Sequence, residues 1–360
     1  YTHNNLYQAG ETLKRINRFL DVMHPYKPVK LAAFDIGSGA TKLDVALVDQ
    51  SATPWKIVGD LLYSEQVEVL LAHDLKASED NTLSVRIMDE SVRELARMKQ
   101  IAETLGVEGM LAIGTAVFRL ADNGMQLVHR IRSELGLKMH VISQDEEGRL
   151  GYLTAATAAG ASGSHLVAWD SGGASFQMSM CGKCGISVYE GPLGTSLVTA
   201  MLVEEVQQKR FSECQSPNPV TLPQVHDLVA KASAALPEAP FWLTGMLDTL
   251  HDHTVIGIGG ATCIFLIASM VTGTDEFTPE EVFAGMERLV GSTDEQLSVY
   301  PQPDMVIPKL ALMYTVMKHV GARKVKYLPA NGSCRGVLTT AWLWDEAEID
   351  GMVDAHMGKR

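Results

Sequence analysis

The sequence predicts an α/β protein built as two similar lobes around one cleft. Three observations predict it. Apolar strand-like runs alternate with helical stretches along the chain, the pattern of layered α/β proteins. An Asp-x-Gly turn followed by small residues occurs twice after an apolar strand, as Asp35-Ile-Gly37-Ser38-Gly39-Ala40-Thr41 and as Asp170-Ser171-Gly172-Gly173-Ala174-Ser175. The chain has 360 residues, enough for two domains at about 150 residues each.

The elements follow in order. Residues 1–29 read as an amphipathic helical extension, with Leu13, Ile16, Leu20 and Met23 near helical spacing, then a link carrying Pro25 and Pro28. Three strand-like runs follow, Leu31–Asp35, Leu43–Val48 and Lys56–Tyr63. Asp89–Leu105 has helical periodicity, Gly109–Gly114 reads as a strand, Ala116–Leu135 as a helix and Met139–Ser143 as a strand, with a helix from Gln144. The second half opens with strands His165–Asp170, Gln177–Met180 and Ile186–Tyr189. Helices are expected at about 193–209, 222–235, 260–271, 278–290 and 304–319, and near Arg335. Strands Thr254–Ile258 and Lys324–Leu328 lie between them. The expected organisation is an extension (1–29), a first lobe (30–150), a second lobe (151–348) and a tail (349–360).

Composition narrows the function. Hydrophobic residues are 46% and charged residues 20%, which supports a sizeable core and argues against disorder. The net charge of −13 disfavours general binding to DNA, RNA or an acidic membrane. An anionic substrate then needs a locally positive pocket or a metal ion. Five cysteines in this length are not a disulfide framework and read as reduced thiols of a cytoplasmic protein. The chain begins at Tyr1 rather than Met, so a trimmed start is expected; no signal pattern is visible. The uncharged stretch Val255–Val271 falls short of the roughly 20 residues of a membrane span and reads as a strand, turn and helix.

The two glycine turns suggest anion chemistry. Glycine lets backbone N–H groups approach a ligand closely, and consecutive N–H groups form an anion-binding nest. Two such turns facing each other would grip a phosphate from both sides, through Gly37, Ser38, Gly39, Thr41, Gly172, Gly173, Ala174 and Ser175. Asp35 and Asp170, at strand ends, suit Mg²⁺, which takes few carboxylates plus water and phosphate oxygens. A third turn at Gly257-Ile258-Gly259-Gly260 offers N–H groups before a helix. Any one of these clusters alone reads more readily as a tight turn.

Ser143-Gln144-Asp145-Glu146-Glu147 starts a helix. Ser143 and Glu146 form a capping box, so Glu146 has a structural task. Glu147 is free either to act as a general base on water or simply to suit the helix N-terminus. Arg119, just after a strand, is either a phosphate contact or a solvated helix arginine; Lys42 and Arg335 are weaker phosphate contacts. Cys181-Gly-Lys-Cys184 reads as a hairpin turn rather than a zinc or redox site. His251-Asp252-His253 could bind metal but reads rather as the polar approach to a strand, and His226-Asp227 lacks the further histidines of a phosphohydrolase site.

Together these residues resemble the exopolyphosphatase / guanosine pentaphosphate phosphohydrolase (Ppx/GppA) family, over about Val29–Thr340. Leu31–Lys42 is similar to its first phosphate loop, Gly114–Asn123 to its Thr-x-x-x-Arg-x-Ala-x-Asn segment, Ile142–Arg149 to its Ile-Ser-Gly-x-Glu-Glu-Ala-Arg motif, and Val167–Gln177 to its second loop. Gly191–Thr195 and Gly257–Thr262 resemble later loops, and Ser333–Gly336 the C-terminal element. The resemblance implies a two-lobed actin-like ATPase (ribonuclease H-like duplicated) fold in a short form without the extra C-terminal region of long members. It implies Mg²⁺-dependent release of orthophosphate from polyphosphate or guanosine pentaphosphate, with Glu147 as base, Arg119 on phosphate, Asp35 and Asp170 on metal, and a homodimer. The chain departs from the pattern at Gly39-Ala40 (Asn-Ser in the family), at Phe176-Gln177 (Thr-Glu) and at Gln302-Pro303-Asp304 (Arg-Ala-Asp). These departures imply an alternative: a member that binds polyphosphate or a guanosine tetraphosphate-type nucleotide as a sensor, without turnover.

Overall fold

A computed structural model describes residues 27–160, 166–249 and 254–345. The expected helix in residues 1–29 lies almost wholly outside the described residues, as do the 349–360 tail and His251–His253.

The first sheet starts from a hairpin. Strand β1 (Val29–Ile36) is apolar and buried, and β2 (Ala40–Asp49) returns antiparallel to it across Gly37–Gly39, with Asp35 directly opposite Lys42. Strands β3 (Lys56–Ile57) and β4 (Tyr63–Glu68) both pair with β2. Thus the expected single strand Lys56–Tyr63 is two strands, because the run turns at Gly59, which holds a φ of 72°. Helices α1 (Leu71–Ala77) and α2 (Val85–Thr104) follow, the latter capped by the Ser84 side chain. Strand β5 (Gly109–Gly114) then lies parallel to β1.

The expected helix Ala116–Leu135 is broken into α3 (Ala116–Leu120) and α4 (Gly124–Leu135). Ala121 turns extended, and the Asn123 side chain pairs with both backbone groups of Leu83 at 2.8 Å. Those bonds outweigh helix continuation at a residue that competes for backbone groups. Strand β6 (Met139–Val141) completes the sheet in the order β3-β2-β1-β5-β6, with β4 also on β2.

Helix α5 (Gln144–Ala159) carries the chain across. Its capping box forms as the sequence predicts, with the Ser143 N–H donating to Glu146 Oε2 at 2.7 Å. The second sheet repeats the first: β7 (Leu166–Ser171), β8 (Phe176–Gly182) and β9 (Gly185–Gly191) form an antiparallel meander. Cys181 and Cys184 sit at its β8–β9 turn, and both are free thiols. Helix α6 (Thr195–Met201) runs into a π-turn at Leu202–Val206, so the helix expected over 193–209 is shorter.

Helix α7 (Leu222–Ala235) matches its expectation, while α8 (Phe241–Thr249) was not anticipated. Strand β10 (Thr254–Gly259) lies parallel to β7. Helix α9 (Ile264–Thr272) begins later than expected, because Cys263 is its cap and residues 260–262 are a turn. Strand β11 (Glu276–Phe277), helices α10 (Pro279–Leu289) and α11 (Val306–Val320), and strand β12 (Val325–Pro329) complete the second sheet, ordered β11-β12-β10-β7-β8-β9.

The last helix, α12 (Cys334–Thr339), returns to the first sheet. Cys334, Val337, Leu338 and Leu343 pack with Leu31, Ala33, Ala46 and Ile113, while Tyr152 and Ala155 of α5 pack on the second sheet. Helices α5 and α12 therefore meet between the lobes. The Gly336 N–H donates to Thr154 Oγ1 at 2.9 Å, and a Cβ on Gly336 would lie 2.2 Å from the Leu150 carbonyl oxygen. Gly336→Ala is expected to cost about 1–3 kcal/mol as overpacking. Urea unfolding reads this, and an unchanged midpoint counts against so tight a crossing. No helix among the described residues is long and apolar enough to cross a membrane.

Candidate active site

The two glycine turns meet. A Cβ on Gly173 would lie 3.2 Å from Ser38 Cβ and 3.3 Å from the Gly39 nitrogen, so the turn of each sheet touches the other. At Gly173 the fit is close enough that an added Cβ would push Ser38 or Gly39 away by a few tenths of an ångström. Each turn is held from behind. The Ala72 N–H of α1 donates to the Ser38 carbonyl at 2.8 Å, and the N–H groups of Thr195 and Ser196 donate to the carbonyls of Gly172 and Gly173 at 3.0 and 2.8 Å.

Between them lies a cavity of about 70 Å³. Its lining includes Asp35, Gly37, Ser38, Gly39, Glu147, Asp170, Gly172, Gly173, Ala174, Ser175, Gly259 and Gly260, all candidates from the sequence. Two candidates stand elsewhere. Thr41 is fully buried in β2 and does not line the cavity. Arg119 is also absent from the lining: its Nη2 lies 3.3 Å from Glu147 Oε2, and its Nη1 donates to the Ile142 carbonyl. It contacts the acid, not open space.

Lys42 has a larger part than its weak sequence case suggested. Strand pairing places it opposite Asp35, and Nζ lies 3.2 Å from Asp35 Oδ2 inside the cavity wall. Burial opposes its charge, but the carboxylates of Asp35 and Asp170 outweigh that and raise its pKa, so it remains an ammonium ion. At the matching place in the second hairpin, Gln177 stands opposite Asp170. Gln177 is buried outside the cavity lining and donates to Ser175 Oγ at 3.2 Å, so it supports the loop rather than facing the cavity. Arg335 likewise sits behind, its Nε 3.9 Å from Asp44 Oδ2. Thr115, Ser171, Thr195 and Thr262, which lie in the segments that carry the resemblance, also line the cavity, as does Ser196.

The acids are tuned by crowding. Burial pushes Glu147 up to about 8; Arg119 opposes this, while Asp35 and Asp170 add to it. Burial also pushes Asp170 up to about 6, against the pull of Lys42. A site with three converging carboxyls and perturbed acidity is the kind that performs proton chemistry. Asp35 Oδ1 is buried without a hydrogen-bond partner, while Oδ2 accepts from Lys42 and from the Ser333 N–H at 3.0 Å. No group of three His, Cys, Asp or Glu able to hold a metal occurs among the described residues. Two carboxylates with free lone pairs still fit Mg²⁺, which keeps several waters and binds phosphate oxygens as well.

Beside this cavity, and sharing Ala174, is a second one of about 430 Å³. Its wall is apolar along Ala72, Leu75, Val117, Leu120 and Leu197, and polar along Ser78, Glu79 and Asn81. Its one lysine, Lys76, is paired with Glu204 across the lobes at 3.0 Å.

Residues 56–216, which carry Arg119, Glu147 and the second glycine turn, match the Ppx/GppA phosphatase family. Over this segment the chain is similar to that family. Exopolyphosphatase 1 of Mycobacterium leprae is 24% identical over 151 residues, 42% of each chain. The guanosine-5'-triphosphate,3'-diphosphate pyrophosphatase of Aliivibrio fischeri is 33% identical over 101 residues, 28% of this chain and 20% of its own length. The chain thus aligns with less than half the length of these curated relatives. The crystal structure of the Aquifex aeolicus Ppx/GppA family member superposes with a TM-score of 0.64 at 18% identity, covering 88% of this chain and 98% of that one. An exopolyphosphatase from Cytophaga hutchinsonii gives 0.65 at 18% identity, covering 89% and 98%. These neighbours show the fold: two α/β lobes of actin-like type around a cleft, as the Ppx/GppA resemblance implied.

Proposed function

We propose that this chain hydrolyses a terminal phosphoanhydride, releasing orthophosphate from guanosine pentaphosphate or inorganic polyphosphate. One observation carries the reading: the two glycine turns touch each other around a small cavity that also holds Glu147. That cavity measures about 70 Å³. That space suits one phosphoryl group, whereas pockets for whole drug-sized ligands measure about 300–1,000 Å³.

In this reading the N–H groups of Ser38, Gly39, Gly173 and Ala174, with the Lys42 ammonium, take the phosphoryl oxygens, while those of Gly37 and Gly172 close their own turns on the Ala40 and Ser175 carbonyls. Lys42 supplies fixed positive charge, and such positioning and neutralisation are most of what phosphoryl transfer asks of a protein. Glu147, held by Arg119, takes the proton of the attacking water once it is ionised. Asp35 and Asp170 would hold Mg²⁺, which when bound neutralises charge on the phosphate oxygens. The apolar stretch of the neighbouring cavity favours an organic leaving group. A polyphosphate tail would meet little free positive charge there, because Lys76 is already paired, whereas a guanine ring has apolar faces. Guanosine pentaphosphate is therefore placed ahead of polyphosphate.

The test is orthophosphate release, with Mg²⁺, from guanosine pentaphosphate, polyphosphate and ATP in parallel. Release is expected from guanosine pentaphosphate fastest; no release from any of the three refutes hydrolysis. The second reading, binding without turnover, is favoured by the high pKa of Glu147, which leaves the acid mostly protonated at neutral pH. Calorimetric binding of guanosine tetraphosphate in a protein that shows no release at pH 8.5 would establish it.

A further inference from the structure

Strand β4 joins the lobes by one face. Ser64, Gln66 and Glu68 alternate along it, and each meets the second lobe. Ser64 Oγ accepts from Asn331 Nδ2 at 2.9 Å, Gln66 Nε2 donates to Thr262 Oγ1 at 2.9 Å, and Glu68 Oε2 accepts from Gln302 Nε2 at 2.5 Å. The opposite face turns inward, with Tyr63 and Val67 against the first lobe's core. This is the period of two expected for a strand with one face on each neighbour.

The last of these contacts is unusually supported. Gln302 adopts φ 54°, a left-handed backbone that ordinary side chains avoid and that persists only where surroundings enforce it. Its Oε1 accepts from Lys309 Nζ at 2.6 Å. Lys309, on α11, is only 1% exposed, so a lysine is buried in the second lobe with its ammonium directed at this one amide. Its pKa is pushed down to about 8 by burial, which leaves it mostly protonated at neutral pH. The amide thus relays a buried positive charge to a carboxylate on the other lobe. The same loop reaches the cavity, since the Met305 N–H donates to the Gln302 carbonyl at 2.9 Å and Met305 lines the cavity beside Gln66 and Thr262.

We infer that Glu68, Gln302 and Lys309 are positioning residues that fix the width of the phosphoryl site. They act through β4: anchoring its end at Glu68 holds Gln66 against Thr262 and closes that wall of the cavity. Gln66 packs directly on the third glycine turn, since a Cβ on Gly260 would fall 1.8 Å from Gln66 Oε1. The inference rests on the cavity being a phosphoryl site, and it makes this clasp the determinant of how closely one phosphate is enclosed.

The experiment titrates inorganic phosphate into the full chain by calorimetry and measures its ligand-free radius of gyration by X-ray scattering. The parent is compared with Glu68→Ala, Gln302→Ala, their double variant and Lys309→Met, the last keeping most of the buried volume. Each single change is expected to weaken phosphate binding about tenfold and to enlarge the ligand-free particle; Glu68→Ala keeps an unfolding midpoint close to the parent, whereas Gln302→Ala lowers it by taking the amide acceptor from the buried Lys309 ammonium. The double variant is expected to lose no more than either single, because the two residues form one unit. Parent-like affinity and radius in Gln302→Ala, or additive losses in the double variant, would overturn the clasp and leave the phosphate site standing. A parent that binds no phosphate overturns the site itself. A variant of Lys309 that unfolds is decided by the two interlobe singles, which keep the buried lysine.

Discussion

Replacing Glu147 by Gln is expected to lower phosphate release by about 10²–10⁴-fold, the usual contribution of a positioned general base. Glutamine keeps the shape and the hydrogen bond to Arg119 but cannot take a proton. The parent rate should also climb with pH. Glu147 is pushed up to about 8, so the ionised base accumulates only as pH rises through that value. Expected kcat/KM therefore increases from pH 6 to a plateau above about 8, and the residual activity of Glu147→Gln has no such limb. A parent profile flat over this range would remove Glu147 as base. The same substitution affects stability with a definite sign. The folded carboxyl holds its proton between the ordinary value of 4.5 and about 8, where the unfolded one has lost it. Parent stability therefore falls as pH rises across that window. Glu147→Gln escapes the fall, and should melt higher than the parent above pH 8.

Lys42→Met should give the largest loss of stability. The ammonium faces two buried carboxylates, and removing one partner of a buried pair costs about 3–5 kcal/mol. The folded pKa of Lys42 is raised, so its stabilising contribution is fully present below the unfolded value of 10.5. The loss in the variant should itself depend on pH. Asp170 already stands at about 6 in the parent; without Lys42 it rises further and takes up a proton as pH falls. Thermal unfolding at pH 5 and 7.5 reads this: a large deficit at 7.5 and a small one at 5. Mg²⁺ should restore part of the deficit at 7.5 if Asp35 and Asp170 hold it. Equal deficits at both pH values would mean that Lys42 is not the counter-charge of these acids.

Much of this site was legible because its signals are local. A glycine turn after an apolar strand needs only neighbouring residues to declare itself, and so does a serine cap with a glutamate three residues on. The two turns, Asp35, Asp170, Glu147 and the box at Ser143 were readable for that reason. The sequence reading makes Lys42 only a weak phosphate contact, although a hairpin closing at Gly37–Gly39 puts residue 42 opposite residue 35. What was missed depends on distant partners. The break at Ala121–Asn123 is set by Leu83, about forty positions earlier in the chain. The role of Arg119 depends on where α5 delivers Glu147. Lys309 reads as an ordinary helical lysine until the fold buries it under Gln302. Helix α8 lay between Pro237 and Pro240 on one side and polar residues on the other, and its amphipathic pattern is weak.

The return of α12 to the first sheet has a consequence for biosynthesis. Leu31, Ala33, Leu111 and Ile113 find their outer cover in Cys334, Val337, Leu338 and Leu343, from the far end of the chain. A ribosome that has made the whole first half has therefore released a sheet with one greasy face only partly covered, by Ile142 and Leu150. The rest of that cover arrives only with residues 334–343, so the lobe translated first completes its packing after the second sheet has been made.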